Sequence, residues 1–161
     1  MKKLSLLYFL IFVIMLIDKG CDSGTDSPAF PMIKYTVSGG YFSGVHTKLI
    51  IDQYGNVFLE SENPVLKQRL TSSEYYSLLG LFENFNDLSN TYYGTCVDIP
   101  IYTIEYRRGR SIKTVAADGS LLFDQRLILA PSSDIERLKV IIDKLNEIVQ
   151  RIRGDKQNKL D

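Results

Sequence analysis

A stripe of aliphatic residues near the C-terminus sets the tightest limit on the fold. Ile135, Leu138, Ile142, Leu145, Val149 and Ile152 recur at helical spacing over about five turns, and Ile141 and Ile148 widen the face. Such a helix is marginal in water until that face is covered. Fewer than three full heptads and the extra width argue against a coiled-coil seam and for a helix laid on a sheet. Ser133 with Glu136, just after Pro131, forms a capping box at its start. Asp134 and Glu136 sit at the positive end of the dipole and Arg151 and Arg153 at the negative end. Gly154 is expected to stop it, leaving 155–161 as a disordered tail.

The sheet is legible upstream. Ile33, Tyr35 and Val37 alternate with Lys34 and Thr36, the period-two signature of a half-buried strand. Val45 to Asp52 reads as a second strand, and Gln53 to Asn56 turns the chain into Val57 to Glu60. Val65 to Leu70 adds a short strand after Pro64. Thr71 with Glu74 is another capping box, and Tyr75, Leu78, Leu79, Phe82 and Phe85 give its helix one apolar stripe, ending near Asn84 to Asp87. Ser89 to Asp98 reads as a polar and aromatic loop. Ile101 to Tyr106 and Ser111 to Ala116 form a hairpin, and Leu121 to Leu129 is a final strand or an ordered loop. The expected fold class is α+β, with an antiparallel sheet of four to six strands and two amphipathic helices on one face. The domain spans 32–154.

The first residues belong to a different problem. Lys2 and Lys3 precede Leu4 to Ile17, an apolar run of 14 residues in which only Ser5 is plainly polar. That is the build of a secretory signal and falls short of the roughly 20 residues of a spanning helix. Gly20 and Cys21 then resemble the end of a bacterial lipoprotein signal, whereas Asp18 and Lys19 depart from it. A conventional signal cut near Gly20, an uncleaved anchor and a lipoprotein with a degenerate box all compete. We expect the lipoprotein, with signal peptide 1–20, acylated Cys21 and the flexible tether 21–31, because Asp22 to Pro31 is rich in Ser, Gly, Asp and Pro. The expected location is the bacterial cell envelope, with the membrane as a partner through acyl chains on Cys21.

Charge and composition exclude several function classes. The 161 residues carry 19 Lys+Arg and 19 Asp+Glu, and losing 1–20 removes three positive and one negative charge, for a net of −2. A chain without positive excess lacks the footprint of a nucleic-acid binder. One histidine and two cysteines are too few for an ordinary zinc site, so no metal and no cofactor are expected. If Cys21 carries lipid, Cys96 has no partner within the chain and no disulfide framework exists. His46 is the obligatory base of any triad, with Cys96 its one thiol, but it reads as a solvent-side strand residue. Asp52, Glu60, Glu62 and Asp98 are scattered carboxylates with no visible pairing. We therefore expect no enzymatic activity.

Two loops remain as binding candidates. Ser38, Gly39, Gly40, Tyr41, Phe42, Ser43 and Gly44 follow a strand, but no Lys-Ser/Thr pair and no helix follow, so this is not a phosphate cradle. It reads as a connection that tolerates unusual φ and exposes two aromatics, and aromatics bury large area at small entropic cost. Tyr92 and Tyr93, in the same loop as Cys96, offer a second such surface. Arg107, Arg108 and Arg110 at a hairpin tip read either as an anion patch or as a charged turn that discourages edge aggregation, and the charged turn is preferred.

The order of these landmarks resembles the emfourin-like family: Val37-Ser38-Gly39-Gly40-Tyr41-Phe42-Ser43-Gly44-Val45, a capped helix ending in Phe85-Asn86-Asp87-Leu88, a hairpin opening Asp98-Ile99-Pro100-Ile101-Tyr102-Thr103-Ile104, and a closing leucine-spaced helix. Between Gly40 and Gly44 stand three residues where that family usually has two. The resemblance implies a small inhibitor of thermolysin-like zinc metallopeptidases, so the partner it implies is a secreted enzyme of that class, met by a monomer. From the residues themselves, the alternative is a periplasmic or surface module holding a small apolar or sugar ligand between sheet and helices.

Overall fold

The alternation read in the strands becomes a sheet with one wet and one dry face. The computed structural model describes residues 31–39, 44–94, 98–123 and 130–157; the leader, Cys21 and the tether through Phe30 lie outside the described residues. Among the described residues there are seven strands: β1 (Pro31–Gly39), β2 (Val45–Asp52), β3 (Asn56–Leu59), β4 (Leu66–Arg69), β5 (Thr91–Tyr92), β6 (Pro100–Arg108) and β7 (Ser111–Asp118). Three helices accompany them: α1 (Ser72–Gly80), the single turn α2 (Ser120–Phe123) and the long α3 (Ser132–Gln157). The sheet order is β4-β3-β2-β1-β6-β7-β5. Register places Tyr35 between Leu49 and Ile104, so Ile33, Tyr35, Leu49, Ile51, Ile104 and Tyr106 share the dry face. Lys34, Thr36, Thr103 and Glu105 share the wet one, where Lys34 Nζ lies 2.6 Å from Glu105 Oε1.

Both main helices cover the dry face, and the fold is α+β. Leu138, Ile141, Ile142 and Leu145 of α3 are fully buried. Each such side chain contributes about 1.5–3 kcal/mol by leaving water. The Tyr35 hydroxyl, buried beneath this helix, donates to Asn146 Oδ1 at 2.7 Å, and burial pushes its pKa far above the ordinary tyrosine value. Leu78 of α1 joins the same core, and beyond it the Phe82 and Phe85 rings lie 4.8 and 5.9 Å from that of Tyr106.

Four expectations need correction. The sheet has seven strands and is mixed, not four to six and antiparallel, because Thr91 and Tyr92, expected in a loop, run parallel to Ala116 and Ala117. Having left β4 at one edge, the chain crosses the helical face and reaches the opposite edge in the same direction as β7. The α1 helix ends at Gly80, and Phe82 and Phe85 enter the core from turns and a 3-10 segment at Phe85–Asp87. Of the segment Leu121 to Leu129, the described residues Leu121 to Phe123 belong to the helical turn α2 and not to a strand, and 124–129 lie outside the described residues. Finally, α3 begins at Ser132, ahead of the Ser133 cap, with the Pro131 carbonyl accepting from the Asp134 and Ile135 amides, and it runs through Gly154 to Gln157. Ion pairs hold its last turns: Arg151 on Glu74, Arg153 and Lys156 on Glu62, the latter two at 3.0 and 3.4 Å. A glycine costs a helix only about 1 kcal/mol, which such ties offset.

Among the described residues no helix is long and apolar enough to cross a membrane.

Candidate functional site: one end of the sheet

The two candidate loops are far apart in sequence, and strand register brings their flanks together. Gly39 closes β1 opposite Pro100, Ser38 lies opposite Ile101, and Ile101 lies opposite Asp118. The Asp118 carboxylate then accepts from the Gly94 amide at 2.7 Å and from the Ser120 amide at 3.0 Å. Ser38, Gly39, Gly44, Tyr93, Gly94 and Asp98 therefore occupy one end of the sheet. There Tyr93, Gly94, Asp98, Ile99, Ile101 and Asp118 line an open concavity of about 390 Å³. Gly40, Tyr41, Phe42 and Cys96 lie outside the described residues.

Local chemistry explains how each flank is held. Gly39 and Gly44 have φ of +80° and +129°, and the Gly39 amide donates to the Gly44 carbonyl at 3.1 Å. Side chains rarely adopt such backbone, so glycine is required at both positions. His46 is exposed, and its Nε2 lies 2.9 Å from the Gly39 carbonyl oxygen, a contact in which Nε2 is the donor. Asp98, with φ of +59°, is the one described non-glycine residue in the left-handed region, which aspartate tolerates better than most. Tyr93 is 51% exposed beside the concavity.

Tyr92 does not offer a surface, contrary to the sequence reading. It is 1% exposed; its hydroxyl accepts from the Ser89 amide at 2.8 Å and donates to Asp134 Oδ2 at 3.3 Å. Alternation along β5 sends Tyr92 inward, and burial raises its pKa.

The scattered carboxylates have separate structural partners. Asp52 is 2% exposed, and its oxygens accept from the Tyr54 and Asn56 amides and the Asn56 side chain, holding the β2–β3 turn. Glu60 pairs with Lys48 at 2.5 Å, and Glu62 with the end of α3. Among the described residues no group of three or more His, Cys, Asp or Glu is placed to hold a metal ion. Asp118, Gly94, Ile99 and Ile101 escaped the sequence reading. Asp118-Gly119-Ser120 does carry a turn signal, since aspartate favours bonds to amides two residues on.

No protein-family model matches the chain, and neither does any curated protein.

Proposed function

We propose that the chain is an envelope-anchored lipoprotein, tethered through acylated Cys21, whose domain binds another protein without catalysis. The contact surface is the sheet end carrying Ser38, Gly39, Gly44 and Tyr93, together with Gly40, Tyr41 and Phe42 of the same loop. One observation supports this reading: Ser38 and Gly39 pair with Ile101 and Pro100 at the sheet end where Tyr93, Gly94, Asp98, Ile99, Ile101 and Asp118 line a concavity. Inhibition of a secreted thermolysin-like metallopeptidase is the specific version, resting on the resemblance in loop and hairpin. For a small ligand held between sheet and helices, fully buried Tyr35, Leu49, Ile141 and Leu145 fill the centre of that space, and the room lies at its edge, in a concavity of about 380 Å³ lined by Leu66 and Gln68 of β4 and Ile152 and Asp155 of α3.

The test is capture of partners from secreted proteins on the purified protein, followed by inhibition of a thermolysin-like peptidase. A captured partner lost on Tyr93→Ala supports the reading. Full peptidase activity at saturating protein sinks the inhibitor version, and capture unchanged by both Tyr93→Ala and Tyr41→Ala sinks the surface.

A further inference from the structure

The end of the sheet opposite the candidate site has its own character. Pro31 begins β1 opposite Asp52, and Ile33 lies opposite Tyr106, so the chain enters the sheet beside the β2–β3 turn and the β6–β7 turn. Met32, Gln53, Arg107, Gly109 and Arg110 line one concavity of about 370 Å³ there. Arg108 and Arg110 are exposed and Arg107 half-buried, and among the described residues none of these guanidinium groups has an ion-pair partner. The nearby carboxylates are already engaged, Asp52 by its turn and Glu105 by Lys34.

Exposed apolar and aromatic side chains are interleaved with this charge. Tyr54, in the β2–β3 turn, is 59% exposed, and Ile112, next to the arginine turn, is 52% exposed. Tyr76 is 70% exposed; its ring lies 5.9 Å from that of Tyr75, whose hydroxyl donates to the Gln53 carbonyl at the same end. Arginines that carry charge beside tyrosines with an apolar body and a polar tip suit the headgroup layer of a bilayer.

We infer that this end docks on an anionic phospholipid surface, with Arg107, Arg108 and Arg110 on the headgroup phosphates and Tyr54, Tyr76 and Ile112 at the headgroup level. The position of chain entry is the second support, and it rests on the tether proposed above. Cys21 is ten residues from Pro31, a reach of at most about 35 Å and, for a flexible spacer, roughly 18 Å on average. A lipid on Cys21 would keep the arginine end near the bilayer and turn the Tyr93 end toward solvent, where a partner protein can reach it.

The chain contains no tryptophan, so a single one reports its own surroundings. Full-length Tyr54→Trp and Tyr93→Trp proteins are mixed with vesicles of phosphatidylcholine alone and of phosphatidylcholine with phosphatidylglycerol. The expected result is a blue shift of the residue-54 reporter on the phosphatidylglycerol vesicles only, reversed by high salt, with the residue-93 reporter unmoved. In an R108Q/R110Q background the docking equilibrium falls by roughly 25-fold, since each arginine near an anionic surface is worth about a fivefold change. Absence of the shift on anionic vesicles, an equal shift on neutral ones, or a shift that survives R108Q/R110Q overturns the inference. Flotation with neutral vesicles reads the tether separately: a chain that fails to float there, yet shifts on anionic vesicles, loses the tether and keeps the docking surface.

Discussion

Replacing Asp118 tests whether the candidate site is a built structure or an accident of neighbouring loops. The carboxylate is 6% exposed and holds two amides on different segments, Gly94 after β5 and Ser120 at the start of α2. A hydrogen bond to a charged group contributes about 1.5–3 kcal/mol, and a buried donor left without a partner costs about 1–3 kcal/mol. Asp118→Ala removes both bonds and strands the buried Ser120 amide, so it should cost about 3–5 kcal/mol. Asp118→Asn keeps one acceptor oxygen but turns an NH₂ toward the second amide, for about 1.5–2.5 kcal/mol. At about 3–5 °C per kcal/mol for a domain of this size, the melting temperature should fall by roughly 10–20 °C and 5–10 °C respectively. Thermal melts by circular dichroism give the order, and amide hydrogen exchange gives the place. Exchange should quicken first at Gly94 and Ser120, and partner capture should weaken in Asp118→Asn at temperatures where the protein is still folded. Melts within a degree of the parent for both variants, or unchanged protection at Gly94, would refute the clamp.

The remaining predictions follow from the tyrosines, the first capping box and the long helix. Burial raises the pKa values of Tyr35, Tyr75, Tyr92 and Tyr102 above the ordinary value of 10.0. A raised pKa in the folded state means a contribution to stability that is full below pH 10 and lost as pH climbs above it. Absorbance titration should therefore show a delayed tyrosine class that ionises together with unfolding, and Tyr35→Phe should make that alkaline transition shallower. The Thr71 amide, Arg151 and the Thr71 hydroxyl lower the pKa of Glu74 from 4.5 to about 2, so its contribution is present above pH 4.5 and lost as pH falls toward 2. Glu74→Gln should flatten the acid limb of stability over that window, read by urea melts at stepped pH. Gly154 sits inside α3 without a positive φ and with open space around its Cβ position. Gly154→Ala should thus stabilise by about 0.5–1 kcal/mol and raise the melting temperature, whereas a glycine that terminates the helix would give a loss.

The parts of the fold that were legible are those whose signal is local. Thr71 and Glu74 satisfy each other within one turn, and both halves of the box are present. The α3 stripe and the β6–β7 hairpin likewise write their periods into adjacent residues. What escaped depends on partners distant in sequence. A two-residue strand such as β5 has no periodicity to read, and Tyr92 turns inward because Ser89 and Asp134 supply its bonds and the core accepts its ring. The end of α3 was misplaced at Gly154 because propensity is a weak local preference, and Glu62 and Glu74 outweigh it from the far side of the chain. At the candidate site, glycine and aromatic content marked the loops, but their convergence is a matter of pairing Gly39 with Pro100 and of one aspartate.

The sheet edges bear on which surface is offered. A protein that recognises partners by adding a strand needs a long, apolar, unpaired edge. Here one edge is β4, four residues that alternate outward Lys67 and Arg69 with inward Leu66 and Gln68; the Lys67 Nζ lies 5.9 Å from the Phe58 ring, which it partly covers. On the other side β5, two residues long, covers only Ala116 and Ala117 of β7 and leaves Ser111 to Val115 without a strand partner among the described residues. The short, charged β4 edge discourages strand addition by a partner or a second copy. The domain has two dissimilar ends, one with Gly39 and Gly44 beside the concavity lined by Tyr93 and Asp98 and one of arginines and tyrosines beside the chain entry. That polarity suits the tethered binding protein proposed above, since a tether at the binding end would hold the recognition surface against the bilayer.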